Sequence, residues 1–156
     1  MAEKKPTAQR RIVNRKARHD YYVHRTVEAG IVLTGSEVKS LREGRAQLTD
    51  TFVRINGLVA TLYGMQIDLY APATDRNHEP QRHRRLLLHR RELVKLAPEV
   101  AQPGWSLVPL SVYFNPRGLA KVELALVTGK RQYDKRQDVR KREHEREMNR
   151  ATTRRR

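Results

Sequence analysis

Positive charge is concentrated at the two ends of this chain, and this restricts the part that can form a hydrophobic core to the residues between them. Residues 1–19 carry a net charge of +6 and residues 129–156 a net charge of +7, whereas residues 20–128 carry +3. The roughly 110 residues of the middle are enough for one hydrophobic core but not for two. The cationic ends predict a polyanionic partner, with RNA or DNA as the first candidate and a membrane surface as the second.

The composition excludes several classes of protein and of site. The sequence contains no cysteine, so a disulfide, a thiolate zinc site and a cysteine nucleophile are all ruled out. The basic N-terminal residues are not followed by the apolar segment of a secretory signal. No stretch approaches the roughly 18 apolar residues that a membrane-spanning helix needs. We therefore expect a soluble protein of the cytoplasm.

Most of the middle has the pattern of short β-strands. The clearest signal is a hairpin in which two β-rich runs, 52–55 and 58–63, flank Asn56-Gly57, a pair that favours a type I′ turn. Two longer runs, 105–114 and 119–128, predict a second hairpin. Further short strands are predicted at 21–23 and 30–33. About six strands with Gly-containing turns indicate a small, mainly antiparallel β-barrel.

Two short helices and a long loop are predicted beside the strands. A capping-box pattern, Thr34-Gly35-Ser36-Glu37, predicts a helix over residues 36–43. Apolar residues recur in helical order over residues 89–97, and Pro98 is expected to end this second helix. Residues 71–85 are polar and basic and contain two prolines, so we expect a loop that is either mobile or functional.

The C-terminal segment has a helical composition but no hydrophobic face. Between Tyr133 and Arg150 the only large apolar residues are Val139 and Met148, nine positions apart. Arginines at positions 142, 146 and 150 share one side of a helix and form a cationic ridge. A helix that is polar all round has nothing to pack against in water. We therefore predict a tail that is disordered in the free protein and becomes helical against a polyanion.

Five segments form a pattern when they are taken together. They are NRKARHDY at 14–21, EAGIVLTGSEVKSLR at 28–42, YGM at 63–65, RRLLLHRRE at 84–92 and GKRQYDKR at 129–136. In this order they resemble the small protein B family, the SsrA-binding proteins. The resemblance extends over roughly residues 12–150 of the chain. One segment alone would carry little weight, but five in the same order are specific.

The resemblance implies a mainly β fold, a small antiparallel oligonucleotide-binding-type β-barrel with two or three flanking helices and disordered basic tails. The implied organisation is a flexible basic arm at 1–11, an RNA-binding barrel at 12–128 and a basic tail at 129–156 that is disordered when free and helical on the ribosome. The implied function is that of an RNA-binding adaptor in trans-translation, which rescues ribosomes stalled on broken messages. The barrel would hold the tRNA-like domain of transfer-messenger RNA, and the tail would enter the empty messenger channel.

The partners implied by the resemblance are two RNA-containing molecules and one protein. They are transfer-messenger RNA, the ribosome at its small-subunit decoding centre and messenger channel, and elongation factor Tu through the charged RNA. The chain is expected to act as a monomer, without a cofactor, a metal ion or catalysis.

Candidate RNA-binding residues lie in the barrel and in the segment that precedes it. Asn14, Glu28 and Leu87 match family positions tied to RNA binding, although by sequence alone Glu28 is a strand-end charge and Leu87 a core leucine. Physical chemistry adds three cations for phosphate contacts and two rings for stacking on unpaired bases, although Tyr22 could equally be a core residue. These five residues are Lys16, Arg18, Lys39, His19 and Tyr22.

Candidate ribosome-binding residues form a continuous run at the start of the tail. The family's basic tail start is matched by Gly129, Lys130 and Arg131, and its tail motif by Asp134, Lys135 and Arg136. Tyr133 is an aromatic residue in a cationic segment and is expected to stack on a ribosomal RNA base. Asp134 is expected to orient its cationic neighbours.

Three other functions remain open at the level of sequence. A structural ribosomal protein would also carry basic extensions. A metal-dependent nuclease would use His78 and His83, but the spacing of these histidines suits neither a helix face nor alternating strand positions. A membrane-surface protein is disfavoured because the tail has no hydrophobic face to insert.

Overall fold

The fold is an antiparallel sheet that closes on itself, with helices packed around it. A computed structural model describes residues 10–153, so residues 1–9, which make up most of the predicted basic arm, and 154–156 lie outside the described residues. The strands are β1 (Ile12–Val13), β2 (Tyr21–Ile31), β3 (Ala46–Gln47), β4 (Phe52–Asn56), β5 (Val59–Tyr63), β6 (Gln66–Ile67), β7 (Arg84–Leu87), β8 (Trp105–Phe114) and β9 (Ala120–Gly129). The helices are α1 (Arg15–Asp20), α2 (Gly35–Arg42), α3 (Arg90–Val100) and α4 (Gln132–Thr153), with a 3₁₀ segment at Ala71–Arg76.

Six of the strands form a ring. They pair in the order β8-β4-β5-β7-β2-β9, and β9 pairs back onto β8. β1 adds to β8 as a seventh strand, and β3 and β6 form a separate two-stranded sheet. Closure gives each of these six strands a neighbour on both sides, although β2 pairs with β7 only at Gly30 and Ile31. The predicted antiparallel barrel of about six strands is confirmed.

β2 is one continuous strand, whereas the sequence predicts two short ones. It runs over Tyr21–Ile31 and pairs with nearly the full length of β9, with an irregularity between Val23 and Arg25. The prediction of separate strands at 21–23 and 30–33 is wrong because the polar residues between them are exposed on the barrel surface. They interrupt the apolar pattern without interrupting the backbone pairing.

The β4–β5 hairpin forms, but its turn lies one residue later than predicted. Asn56 pairs with Val59, so Gly57 and Leu58 are the central residues of the turn. Gly57 has a φ of 61°, and Leu58 is not among the described residues with a positive φ. A positive φ at the first central residue alone is typical of a type II′ turn rather than type I′. The second predicted hairpin, β8–β9, is also present.

α2 and α3 correspond to the two predicted helices. In α2 the backbone N–H of Thr34 donates to the Glu37 carboxylate at 2.8 Å, as the capping box predicts. α3 contains Pro98 and ends at Val100, two residues beyond the proline near which the helix is predicted to close. Proline removes the hydrogen bond that would reach back to the carbonyl of Val94 and crowds that carbonyl, so a helix is expected to end soon after it.

Residues 71–85 are predicted to form a loop, and buried charged side chains fix the end of this segment in place. Arg84 begins β7 and is fully buried; its Nε donates to Glu37 Oε1 at 2.9 Å and its Nη1 to the Met65 carbonyl at 2.7 Å. Arg82 Nη2 donates to Glu37 Oε2 at 2.7 Å. Burial alone would raise the pKa of the Glu37 carboxyl, but the hydrogen bonds from Arg82 and Thr34 and the charge of Arg84 hold this pKa below its ordinary value.

Two hydrophobic clusters lie on opposite faces of the sheet. The ring interior is filled by aliphatic side chains from strands and helices, among them Leu41, Leu62, Leu96, Leu107, Val122 and Leu124. A smaller outer cluster joins Ala17 of α1 to β8 and β9 through Val108, Leu110, Ala125 and Val127. α1 therefore packs on the outside of the barrel, and its polar residues remain at the surface.

Candidate nucleic-acid interface

An open groove of about 720 Å³ lies on the barrel surface over β2, β7 and β9. Its lining includes Glu28 of β2, Leu87 of β7 and Lys121 of β9. Leu87 is 54% exposed whereas Leu86 is 3% exposed, because successive residues of a strand point to opposite faces. The groove thus brings together Glu28 and Leu87, two of the predicted RNA-binding residues, and Leu87 is not the core residue that the sequence alone favours.

Gly30 determines how closely β7 approaches β2 in this groove. It pairs directly with Leu87, and a Cβ built on Gly30 would lie 3.2 Å from the Leu87 Cβ. Such a contact is tighter than most Cβ contacts, so a larger residue would push the Leu87 side chain away. Because Gly30 has no side chain, Leu87 can lie this close to β2.

The carboxylate of Glu28 is held between a cation and a phenol. Lys121 Nζ lies 3.6 Å from Glu28 Oε1, and the Tyr113 hydroxyl donates to Oε2. Burial and the hydrogen bond to Glu28 raise the pKa of Tyr113 to about 12, so the phenol remains a donor at neutral pH. The Arg11 guanidinium lies 5.1 Å from the centre of the Tyr113 ring. These neighbours orient the carboxylate of Glu28 and offset part of its charge.

Lys121, Tyr113 and Arg11 are groove or groove-side residues that the sequence does not single out. The alternation of Lys121 with apolar neighbours marks it as outward-facing, but nothing local places it beside Glu28. The register of β9 on β2, in which Lys121 is opposite Gly30, brings them together. Such a contact between distant strands has no sequence signal of its own.

Asn14 caps α1 and is 7% exposed. Its side-chain oxygen accepts from the Ala17 N–H at 3.2 Å, and its amide donates to the Pro109 carbonyl at 3.1 Å. Both the oxygen and the nitrogen of the side-chain amide are therefore hydrogen-bonded within the protein. Asn14 contributes to the surface indirectly, by fixing the position of α1. This short helix is not among the helices predicted from the sequence, although Asn14 is a favoured N-cap residue and is the signal that indicates it.

The surface of α1 presents the predicted cations and the predicted imidazole. Lys16 Nζ lies 2.9 Å from Asp50 Oδ1, and this hydrogen bond raises the pKa of Lys16. Arg18 is exposed. His19 Nδ1 lies 3.0 Å from Asp20 Oδ1, and the hydrogen bond from His19 lowers the pKa of Asp20. α1 therefore carries cationic groups that are partly balanced by acidic neighbours.

Lys130 joins α1, β2 and α4. Its side chain is 6% exposed, and its ammonium group pairs with the Asp138 carboxylate. The same group donates to the Arg18 carbonyl at 3.2 Å and lies 5.0 Å from the centre of the Tyr22 ring. Lys130 is therefore an internal anchor for the start of the tail in this structure, and Tyr22 is an exposed strand residue rather than a core residue.

α4 is attached to the barrel near its first residues. Lys135 Nζ lies 3.3 Å from Asp20 Oδ1. Every residue from 139 to 152 is exposed, including the ridge of Arg142, Arg146 and Arg150. The structure contains the helical form of the tail, and the disorder predicted for the free tail stays a prediction.

The other tail residues surround this attachment. Burial raises the pKa of the Tyr22 phenol most, and the nearby Asp134 carboxylate raises it further. Gly129 ends β9 opposite Tyr21. The exposed members of the predicted ribosome-binding set are Gly129, Arg131, Tyr133 and Arg136.

Lys39 lies on a third surface, apart from the groove and from α1. Its ammonium group is 5.3 Å from the centre of the Tyr70 ring. It lines a shallow cavity between α2 and the 3₁₀ segment, together with Arg76 and Asn77. The structure therefore does not bring Lys39 together with the other predicted cations.

The histidines of the nuclease alternative have separate environments. His78 is buried and its ring nitrogens contact Ser36 Oγ at 2.9 Å and the Ile67 carbonyl at 3.0 Å. His83 is exposed, with its ring 4.4 Å from that of Tyr63. Residues 10–153 hold no cluster of three or more His, Asp or Glu arranged to bind a metal ion.

In the described part of the chain, no helix is both long enough and apolar enough to cross a bilayer.

Comparison with known proteins gives one consistent result. The model of the SmpB protein family matches residues 11–154. An SsrA-binding protein of Moorella thermoacetica is 55% identical over 138 residues, which cover 88% of this chain and 89% of the relative. An SsrA-binding protein of Thermobifida fusca is 54% identical over 143 residues, covering 92% and 89%. A solved structure described as "tmRNA-SmpB: a journey to the center of the bacterial ribosome" is similar with a TM-score of 0.68 and 46% identity, covering 83% of this chain and 94% of that one.

Proposed function

The chain belongs to the SmpB family of SsrA-binding proteins, and from this we propose that it holds the tRNA-like domain of transfer-messenger RNA on its barrel and delivers that RNA to stalled ribosomes. It is an RNA-binding adaptor and not an enzyme. Its partners are transfer-messenger RNA and the ribosome. Since bacterial ribosomes work in the cytoplasm, the proposal puts the chain there.

The groove at Glu28 and Leu87 is the observation that carries the proposal. Leu87 offers an apolar surface to a base or a ribose, and the oriented carboxylate of Glu28 can accept hydrogen bonds from base amino groups or a 2′-hydroxyl. Lys121 is close enough to both to contact a neighbouring phosphate once RNA is bound. The combination of apolar, acceptor and cationic groups is that of a surface for folded RNA rather than for a uniform polyanion.

α1 supplies a second part of the proposed grip. We assign phosphate contacts to Lys16 and Arg18, and base or ribose stacking to His19 and Tyr22. Asn14 has a positioning role because its buried cap fixes α1 on β8. Lys39, on its separate surface, would contact a different part of the RNA or of the ribosome.

The tail has a separate proposed role on the ribosome. Its exposed cationic ridge and its lack of a hydrophobic face suit a channel lined by RNA. The phosphates of that RNA would neutralise the charge of the arginines, which water does not. Gly129, Lys130 and Arg131 would set its direction from the barrel. Tyr133, Asp134, Lys135 and Arg136 would contact ribosomal RNA near the decoding centre, with the remainder in the empty messenger channel.

Truncation after Arg131 tests this division of labour. The position is chosen because it keeps all of β9 and retains Lys130, which also donates to the Arg18 carbonyl, although its partner Asp138 is removed with α4. We expect the truncated chain to shift transfer-messenger RNA in a gel as the full chain does, but not to support tagging of a non-stop message in a purified translation system. A second variant is the full chain with Asp134, Lys135 and Arg136 replaced by Ala. It should likewise bind transfer-messenger RNA but fail to support tagging. Equal loss of RNA binding and of tagging would contradict the proposal.

A further inference from the structure

Aromatic and cationic side chains form a patch on the outer face of β4 and β5, which the predicted RNA-binding residues do not include. Phe52 and Tyr63 are cross-strand partners with nearly parallel rings, their centroids 5.4 Å apart. The His83 ring lies 4.4 Å from that of Tyr63. The Arg54 guanidinium lies over both aromatic rings, 5.2 Å from Phe52 and 5.5 Å from Tyr63. These four residues are called the aromatic patch.

The aromatic patch is accessible and has no acidic neighbour on its own strands. Arg54 and His83 are exposed, and Phe52 and Tyr63 are half-buried. β4, β5 and β7 contain no Asp or Glu, so no carboxylate of these strands competes for the cations. A cross-strand aromatic pair stabilises a hairpin by itself, but an exposed guanidinium supported by two rings also offers a flat cationic surface. That chemistry is suited to a nucleobase flanked by phosphates.

The aromatic patch is continuous with both parts of the proposed RNA grip. On one side, Arg54 is opposite Thr61 and Thr61 is opposite Arg85, two residues before Leu87 in the groove. On the other side, Phe52 lines a crevice that also contains Lys16 of α1 and Asp50. The patch therefore lies on a path along the barrel surface from the groove to α1.

We propose that the aromatic patch is an additional RNA-binding surface that stacks on one or two unpaired bases, with Arg54 and Arg85 contacting the adjoining phosphates. Stacking on aromatic rings and on guanidinium planes is how proteins hold unstacked RNA bases. The inference rests on the proposed function and adds to it a contact surface between the groove and α1.

Affinity measurements with the full chain test the patch. Tyr63→Ala should weaken binding to a transfer-messenger RNA transcript by about tenfold or more, the size expected for one stacked base. Arg54→Gln should reduce the slope of the logarithm of the binding constant against the logarithm of the salt concentration by about one, as expected for the loss of one phosphate contact. Tyr63→Phe should retain the affinity because it keeps the ring. The matched control is Lys95→Gln on the exposed side of α3, which removes one positive charge elsewhere and should change little.

Ultraviolet crosslinking of the unaltered chain to the same transcript gives a second readout that does not depend on a variant being folded. We expect crosslinks in the tryptic peptides 46–54 and 55–76, located by tandem mass spectrometry to Phe52 and Tyr63. Circular dichroism of each variant identifies a loss of folding.

The outcomes separate the two proposals. Unchanged affinity and salt dependence in folded variants, with no crosslink at Phe52 or Tyr63, would overturn the inference and leave the patch as a hairpin-stabilising contact. The proposed function would stand in that case if the unaltered chain binds the transcript. Failure of the unaltered chain to bind the transcript would overturn both.

Discussion

Leu86 and Leu87 are adjacent and chemically identical, yet the barrel gives them opposite surroundings. Leu86 points into the ring with the core cluster, and Leu87 points into the groove beside Glu28. The difference arises from the two-residue period of a strand and not from the side chain. At the scale of single residues, function here depends on which face of a strand a residue occupies.

Paired alanine substitutions test this difference. Leu86→Ala should lower the free energy of unfolding by about 2–5 kcal/mol because it leaves a cavity in the core. Leu87→Ala should lower the free energy of unfolding by less than about 1 kcal/mol and weaken RNA binding by about tenfold, since it removes apolar contact area. Urea denaturation and RNA affinity should be measured on both. A large stability loss in Leu87→Ala with unchanged affinity would contradict the account.

Glu37 gives a prediction about pH. Its folded-state pKa lies below the ordinary value, so the stabilisation that it provides is present above the unfolded-state pKa and is lost as the pH falls through the folded-state pKa. We expect the chain to lose stability below about pH 4, and Glu37→Gln to reduce that loss. The same variant should be less stable at pH 7 by about 3–5 kcal/mol, because it leaves Arg84 buried without its counter-charge. Urea denaturation of both chains at pH 7 and pH 3 would check this; an identical pH dependence would refute it.

At the scale of elements, the sequence predicts those helices and hairpins that local signals determine. The β4–β5 hairpin lies where Asn56-Gly57 predicts one, although its turn is one residue later, and α2 begins at its predicted capping box. The continuity of β2 could not be predicted, because β9 holds together a strand whose own pattern is interrupted. The same long-range register places Lys121 beside Glu28. Of the groove residues, Glu28 and Leu87 were therefore predictable, through the resemblance, and Lys121 was not.

The tail helix is the element whose conformation should depend most on its surroundings. Residues 139–152 are exposed and present no apolar stripe, so little but intrinsic helix propensity holds this part of α4 in water. We expect the far-ultraviolet circular dichroism of the full chain to show little more helix than the chain truncated after Arg131. Helical signal should increase when ribosomes or RNA are added, as measured by difference spectra. A tail that is fully helical in the free chain at physiological salt would be evidence against folding on binding.

At the scale of the whole molecule, charge is distributed according to the proposed division of labour. The cationic ends flank a middle with a net charge of +3, and the groove within that middle combines an apolar residue, a carboxylate and a cation. Charge at the ends favours encounter with any RNA, whereas on the proposed function the groove would require a particular shape. A single domain can therefore be both strongly attracted to RNA and selective among RNAs.

The affinity of the full chain for transfer-messenger RNA across a range of salt concentrations tests the central claim most directly, with an excess of transfer RNA as competitor. We predict that affinity falls by about tenfold to a thousandfold between 50 and 200 mM salt, as several phosphate contacts require. At each concentration the chain should still prefer transfer-messenger RNA, because on the proposed function the groove and α1 recognise its folded shape. Binding that is weak at every salt concentration, or that the competitor removes completely, would contradict the account.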